Sequence, residues 1–218
     1  ITKSFKKLDN SDGPSIAANG GIVGFFSLEM SAEQLAARIL SETAEIPSEQ
    51  IRRGDMTENE FRRFVEAAKS IQSAPLFIDD TPALNIAQLA SRARRLKRTH
   101  GLNALIIDYL QLMEGTTPDN RVQELSRITR GLKSMARELK VPVVALSQLS
   151  RGVESRTNKR PMLSDLRESG SIEQDADLVL MIYRDEYYNP ETEDRGITEI
   201  IVTKHRNGPI GTVKLLFE

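Results

Sequence analysis

Four apolar, β-rich runs in this sequence each finish on side chains able to do chemistry. Glu29 closes Phe25-Phe26-Ser27-Leu28-Glu29, and Asp108 closes Leu105-Ile106-Ile107-Asp108. Gln148 closes Val144-Ala145-Leu146-Ser147-Gln148, and Lys204 and Arg206 close Ile201-Val202-Thr203-Lys204-His205-Arg206. A strand-end carboxylate such as Asp108 can hold a Mg²⁺ that bridges the phosphates of a nucleoside triphosphate; it can equally cap the next turn. Glu29 could take a proton from an attacking water, or orient it, without touching the metal. Its competing reading is a first-turn acid favoured by the helix dipole. Gln148 donates and accepts at once, so it could register a γ-phosphate, or simply be a buried amide satisfied by backbone. Lys204 and Arg206, two apart in an extended segment, point to one side and could both reach a phosphoryl group, or form an exposed basic strand end. Coincidence favours chemistry: ligands of open parallel sheets bind beyond the carboxyl ends of the strands, and all five residues are expected on that edge of one sheet.

A second segment, Ser164 to Asp177, holds Gly170 between serines, which frees backbone N–H groups for phosphate contact, with Arg167 supplying charge. A loop that tracks a nucleic-acid backbone without reading bases works this way. It also holds five acids, and an ordinary solvated loop and helix start would look similar. The basic run Arg92-Ala93-Arg94-Arg95-Leu96-Lys97-Arg98 reads as the solvated face of an amphipathic helix rather than a nucleic-acid patch.

The elements that must position these groups are legible in the hydrophobic pattern. Gly21–Leu28, Ala104–Ile107, Val141–Leu146 and Ile197–Val202 suit strands buried on both faces, and Pro75–Ile78 and Asp177–Ile182 are further strand candidates. Val122, Leu125, Ile128, Leu132, Met135 and Leu139 recur at helical spacing within Arg121–Lys140. Two more helices carry Phe61, Phe64, Val65, Ala68 and Ile71, and Ile86, Leu89, Ala90, Ala93 and Leu96. Ser31-Ala32-Glu33-Gln34 is a capping-box start. Alternating strands and helices predict an α/β fold, a mainly parallel sheet flanked by helices. Glu114–Asn120, Arg151–Pro161 and Asp185–Gly196 read as surface loops.

At 218 residues, with 39% hydrophobic and 28% charged, the chain suits one core. No apolar run approaches the roughly 20 residues of a membrane span, so a cytoplasmic protein without membrane contact is expected. With no Cys and two isolated His, thiolate and His-rich metal sites are excluded, leaving a hard cation held by oxygen. A net charge of −1 does not argue against nucleic acid, since a ring needs positive charge only where its bore meets phosphates.

Taken together, these segments resemble the DnaB family of replicative helicases, among the RecA-like motors. Phe26–Ser31 is similar to its motif with the catalytic Glu, Ile106–Met113 to its Walker B motif, Ala145–Arg151 to its sensor motif, Ser164–Asp177 to its DNA-binding loop, and Lys204–Gly211 to its last motif. The resemblance implies a RecA-like ATPase and helicase domain over residues 21–218, preceded by an incomplete part at 1–20. It implies ATP and Mg²⁺ as cofactors, Asp108 as the metal carboxylate, and Glu29, Gln148, Lys204 and Arg206 as catalytic, Arg206 being an arginine finger that reaches a neighbour's nucleotide with Lys204 beside it. Arg167, Glu168 and Gly170 match the family positions that touch single-stranded DNA. A homohexamer translocating on single-stranded DNA and unwinding duplex at the replication fork, with primase and a helicase loader as partners, is the implied function; a DNA-binding or ring-scaffolding domain without nucleotide chemistry is the alternative.

One family feature is missing. No G-x-x-x-x-G-K-[ST] phosphate loop occurs. Phe5–Asp9 is similar to the segment before the family's first strand, and only the eleven residues Asn10 to Gly20 separate it from the Glu29 strand. They cannot hold a strand, the loop and a long helix, which alone takes about a dozen residues. Gly13-Pro14-Ser15 resembles the loop's beginning and Ile16-Ala17-Ala18-Asn19 the helix's end. We expect the native polypeptide to carry the missing segment, because losing a central strand and helix would expose much of the core.

Overall fold

The computed structural model describes residues 6–8, 16–115 and 121–217. In chain order the first elements are β1 (Lys6–Leu8), β2 (Ile16–Asn19), β3 (Val23–Ser27), α1 (Ala32–Ala44), α2 (Ser48–Arg53), α3 (Glu58–Ser73), β4 (Leu76–Asp79), α4 (Ile86–His100) and β5 (Ala104–Asp108). There follow α5 (Arg121–Leu139), β6 (Val143–Ala145), α6 (Gly152–Ser155), α7 (Gly170–Asp175), β7 (Leu178–Tyr183), α8 (Asp185–Tyr188), β8 (Ile197–His205) and β9 (Gly211–Leu216), with 3-10 turns at Leu110–Leu112 and Leu163–Ser169. Two compact units result: Ile1–Glu114 with Met135–Ser147, and Gly115–Ser134 with Gln148–Glu218.

The first unit contains a four-stranded sheet, β4-β3-β5-β6, parallel throughout. Its central strands are buried as continuous apolar runs, with Val23 and Phe26 on β3 and Leu105 and Ile107 on β5, as expected of a parallel sheet covered on both faces. Gly24 lets α4 approach: a Cβ there would lie 2.9 Å from Leu96 Cδ2 and 3.1 Å from Leu105 Cδ1. The helices start where their sequences cap them. Ser31, Thr57 and Asn85 each accept from the backbone N–H three residues on, and Gln34, Glu60 and Gln88 return the bond. A satellite cluster of Ala44, Ile46 and Ala67, packed by Leu40, Ile51, Met56 and Phe64, joins α1, α2 and α3.

In the second unit, β7, β8 and β9 form an antiparallel sheet. Val179 and Met181 are buried against Leu166, while the alternate β7 residues Leu178, Leu180 and Ile182 are exposed.

Four expectations are corrected. Lys204 and Arg206 do not share the parallel sheet of Glu29 and Asp108, because β8 pairs with β7 and β9. Parallel pairing needs a long crossover, usually a helix, whereas residues 184–196 hold only one helical turn and residues 206–210 make a tight return. The Asn207-Gly208 step inside that return is a turn signal, so β9 was available to sequence reasoning and missed. Ile16–Asn19, read as the end of a helix, is strand β2, whose backbone groups bond to the antiparallel β1 instead of to helical partners. Val144 and Leu146 are exposed rather than covered on both faces, and β6 is an edge strand bonded only to β5 among the described residues. Finally, α6 and α8 stand inside segments read as loops, and Ser164–Asp175 is largely helical. Gly13–Ser15 and residues 116–120 of the Glu114–Asn120 loop lie outside the described residues.

Leu105 is fully buried, so Leu105→Ala is expected to cost about 2–5 kcal/mol through lost contacts and a cavity. Ser31→Ala, which removes one cap, should cost about 1 kcal/mol. Denaturant midpoints at unchanged slope measure both.

Candidate functional site

In the first unit the site is built by strand register. β3 and β5 pair from Val23 opposite Ala104 to Ser27 opposite Asp108, and Leu28 N donates to Asp108 O at 2.7 Å. The half-buried Asp108 therefore stands at the carboxyl end of β5, directly beside the chain that runs through Leu28 to the exposed Glu29. Buried Ser27 donates its hydroxyl to Met30 O at 2.7 Å and shapes the turn that carries Glu29. Beyond the turn, Ser31 caps α1, and Asp80 accepts from Ala32 N at 2.8 Å. A carboxylate at a helix N-terminus offsets its unpaired donors and its dipole. The Asp108–Tyr109 peptide is cis. Leu110 N then donates to Leu146 O at 3.0 Å and Gln111 Nε2 to Ser147 Oγ at 2.9 Å, which joins the ends of β5 and β6.

The donor set fits magnesium of one kind. Among the described residues no cluster of three or more His, Cys, Asp or Glu side chains could cage a metal. Mg²⁺ is commonly held by one or two carboxylates plus substrate phosphates and water, and Asp108 suits that arrangement.

In the second unit, Gln148 is exposed three residues beyond β6. The backbone after it is bolted to the Leu163–Ser169 turn. Ser150 N donates to Asp165 O at 3.0 Å. Arg156 reaches both Asp165 oxygens, at 3.0 and 2.8 Å, and donates to Arg160 O at 3.0 Å. Met162 N also donates to Asp165. Arg160 is ion-paired with buried Glu199 and stands over the Tyr183 ring at 5.5 Å. Arg167 and Glu168 belong by backbone to the 3-10 turn; their side chains lie outside the described ones. Exposed Gly170 opens α7, with open space where a Cβ would stand. Lys204 and Arg206 do reach one place. Lys204 Nζ donates to Glu173 O, and Arg206 Nη2 donates to Gln174 O at 2.8 Å, so both cations cap the last carbonyls of α7. Arg206 also pairs with Asp177 at 3.5 Å.

The basic run on α4 is committed elsewhere. Arg92 donates to both oxygens of Asp79 and to Thr81, and Arg94 makes a two-pronged pair with Glu138 at 2.6 and 2.8 Å. Asp79 and Asp80 at the end of β4 were passed over by sequence reasoning, although they follow an apolar strand as Asp108 does. Arg156 and Asp165 were also missed, and no local pattern marks them as partners.

This is the α/β architecture of a RecA-like domain, with its acidic pair at the strand ends. The family model for the DnaB-like helicase C-terminal domain matches residues 11–218, and the chain belongs to that family. It is 54% identical to the replicative DNA helicase DnaC of Bacillus subtilis (strain 168), across 89% of this chain and 43% of that protein. It is 56% identical to a probable replicative DNA helicase of Trieres chinensis, across 89% of this chain and 44% of that one. The chain thus spans less than half the length of these relatives. A solved DnaB-like replicative helicase, described with its interactions with primase, superposes with a TM-score of 0.86 at 42% identity, covering 90% of this chain and 48% of that one. No helix among the described residues is long and apolar enough to cross a membrane.

Burial pushes the Tyr183 phenol from the ordinary 10.0 up to about 12, helped by its hydrogen bond to Asp185 at 2.6 Å and that group's charge. A raised acid stabilises the fold below its unfolded value, and that contribution is lost as pH rises through about 12. Ultraviolet titration of the four tyrosines should therefore find one ionising near 12, moving down in Asp185→Asn.

Proposed function

We propose that this chain is the motor domain of an ATP-dependent replicative DNA helicase, which translocates on single-stranded DNA as a ring hexamer and unwinds duplex at the replication fork. The observation that carries this reading is the placement of Asp108 and the Glu29 turn on neighbouring strand ends of a parallel sheet, in a member of the DnaB-like helicase C-terminal family. Asp108 would hold Mg²⁺ together with phosphate oxygens of ATP, and the ion would neutralise charge that develops on them. Glu29 would orient the attacking water and accept its proton. It is exposed at the end of a capped, hydrogen-bonded turn, where a bound phosphate could face it. Gln148 would respond to the γ-phosphate. Arg206, with Lys204 beside it, would act as an arginine finger toward a neighbouring subunit's nucleotide. Arg167, Glu168 and Gly170 would contact the DNA backbone. Primase and a helicase loader are the proposed partners; similarity to a helicase described with primase supports the first.

Phosphate binding of this kind uses a G-x-x-x-x-G-K-[ST] loop, which the 218 residues lack. We therefore propose that the native polypeptide carries a strand, a phosphate loop and a helix between Asn10 and Gly20. Its intact mass should exceed 24.4 kDa; a mass at that value sinks this part of the reading and leaves the DNA-binding scaffold.

In the polypeptide that carries the loop, Glu29→Gln should abolish turnover while nucleotide binding survives, as measured by phosphate release and by nucleotide titration. Undiminished hydrolysis refutes the role of Glu29. Arg206→Ala should abolish activity alone, yet be partly complemented in mixed rings by hydrolysis-dead subunits that keep Arg206.

A further inference from the structure

A buried, multiply bonded carboxylate of the second unit, Asp165, is one that the proposed reaction does not use. Asp165 is 8% exposed, and its carboxylate takes both Arg156 Nη atoms and Met162 N. Its own carbonyl accepts from Ser150 N. Arg156 spends its remaining reach on Arg160 O, leaving Nε buried without a partner among the described residues. A two-pronged guanidinium–carboxylate pair fixes direction as well as distance.

The location of this network gives it a consequence. Ser150 is two residues beyond Gln148, and Asp165 is two residues before Arg167, in the same 3-10 turn as Arg167 and Glu168. Leu149 from the first segment and Leu163 and Leu166 from the second pack in one cluster with Val179 and Met181. The segments are therefore joined by backbone, by an ion pair and by apolar contact, and neither can shift alone without breaking Asp165's bonds.

We propose that the Arg156–Asp165 pair is the mechanical link between the Gln148 segment and the Leu163–Gly170 segment, so that a strand bound at the second is felt at the first. Arg156 and Asp165 are positioning residues, and neither needs to touch DNA or nucleotide. The proposal rests on the reading of Arg167, Glu168 and Gly170 as the DNA contact.

Amide hydrogen exchange of the polypeptide that carries the phosphate loop, with and without an oligothymidylate, tests it. Adding the oligonucleotide to the unsubstituted chain should slow exchange in residues 163–170 and also in 148–156. In Asp165→Asn, which keeps shape and the Ser150 bond, protection of 163–170 should persist while that of 148–156 is largely lost. Affinity for the oligonucleotide should fall about 2- to 30-fold, the range over which coupled positions usually act. Arg156→Lys, which keeps charge but not the fork, should behave similarly and replaces Asp165→Asn if that variant fails to fold. The exchanged pair Arg156→Asp with Asp165→Arg should recover part of the linked protection, which a purely destabilising change would not. Protection of 148–156 in Asp165→Asn equal to that of the unsubstituted chain overturns the link. So does protection confined to 163–170 in the unsubstituted chain, which spares the DNA-contact reading. No protection at 163–170 in any chain overturns that reading and the link with it.

Discussion

The pairing register of β3 and β5 is the constraint on which the acidic site depends. Side chains alternate faces along a strand, so a slip of one residue would exchange the sets packed on its two faces. Leu105 and Ile107, both without exposure, hold β5 against that slip, and the ladder then delivers Asp108 opposite Ser27. Gly24 contributes from the other strand, because any side chain there would push on Leu96 and Leu105. Packing two residues before the site thus sets where the carboxylate stands. The Glu29 turn follows from the same pairing, since Leu28 N bonds Asp108 O before the chain bends toward the α1 cap.

Charge is deployed with similar economy. Most ion pairs here are partly exposed and add little stability individually. Their effect is to orient elements and to commit cations that would otherwise attract phosphate. Arg92 illustrates both. Partial burial is the largest influence on Asp79 and acts upward, yet hydrogen bonds from Arg92 and Thr81, with the Arg92 charge, together hold its carboxyl below the ordinary 3.8. A depressed carboxylate stabilises the fold above its unfolded value, and the contribution fades as pH falls through the folded one. The basic run on α4 is thereby tied to the end of β4 and, through Arg94, to Glu138 of α5.

The central strands and long helices were legible in sequence because burial and capping write local patterns. The Ser31 capping box marked α1, hydrophobic period gave α3 and α4, and apolar runs gave β3 and β5, while the Thr57 and Asn85 caps were not read. Of the candidate site, Asp108 was legible as a strand end, and Glu29 stands two residues past the end of β3. The pairing of β8 was not, because an apolar run looks the same in a parallel or an antiparallel sheet; connection length decides, and the Asn207-Gly208 turn was the usable sign. Arg156 and Asp165 were illegible for another reason. Their contact is made by how two irregular segments fold over the β7–β8 sheet, and nothing periodic records it.

The contacts of Arg206 bear on whether one side chain can serve two ends. Its Nη2 holds Gln174 O, so the same nitrogen cannot reach a phosphate at that moment. The bond is exposed, and because its donor is charged, exchanging it for water has a net cost of about 1.5–3 kcal/mol at most. A phosphoryl group would add an opposite charge and a two-pronged acceptor that the single carbonyl lacks. For the proposed finger role, Arg206 would have to release Asp177, which it holds at 3.5 Å, as well as the α7 carbonyl. Lys204 remains on Glu173 O and can hold the end of α7 while Arg206 departs. Since α7 begins at Gly170, the resting contact of the cations and the segment read as the DNA contact are two ends of one short helix.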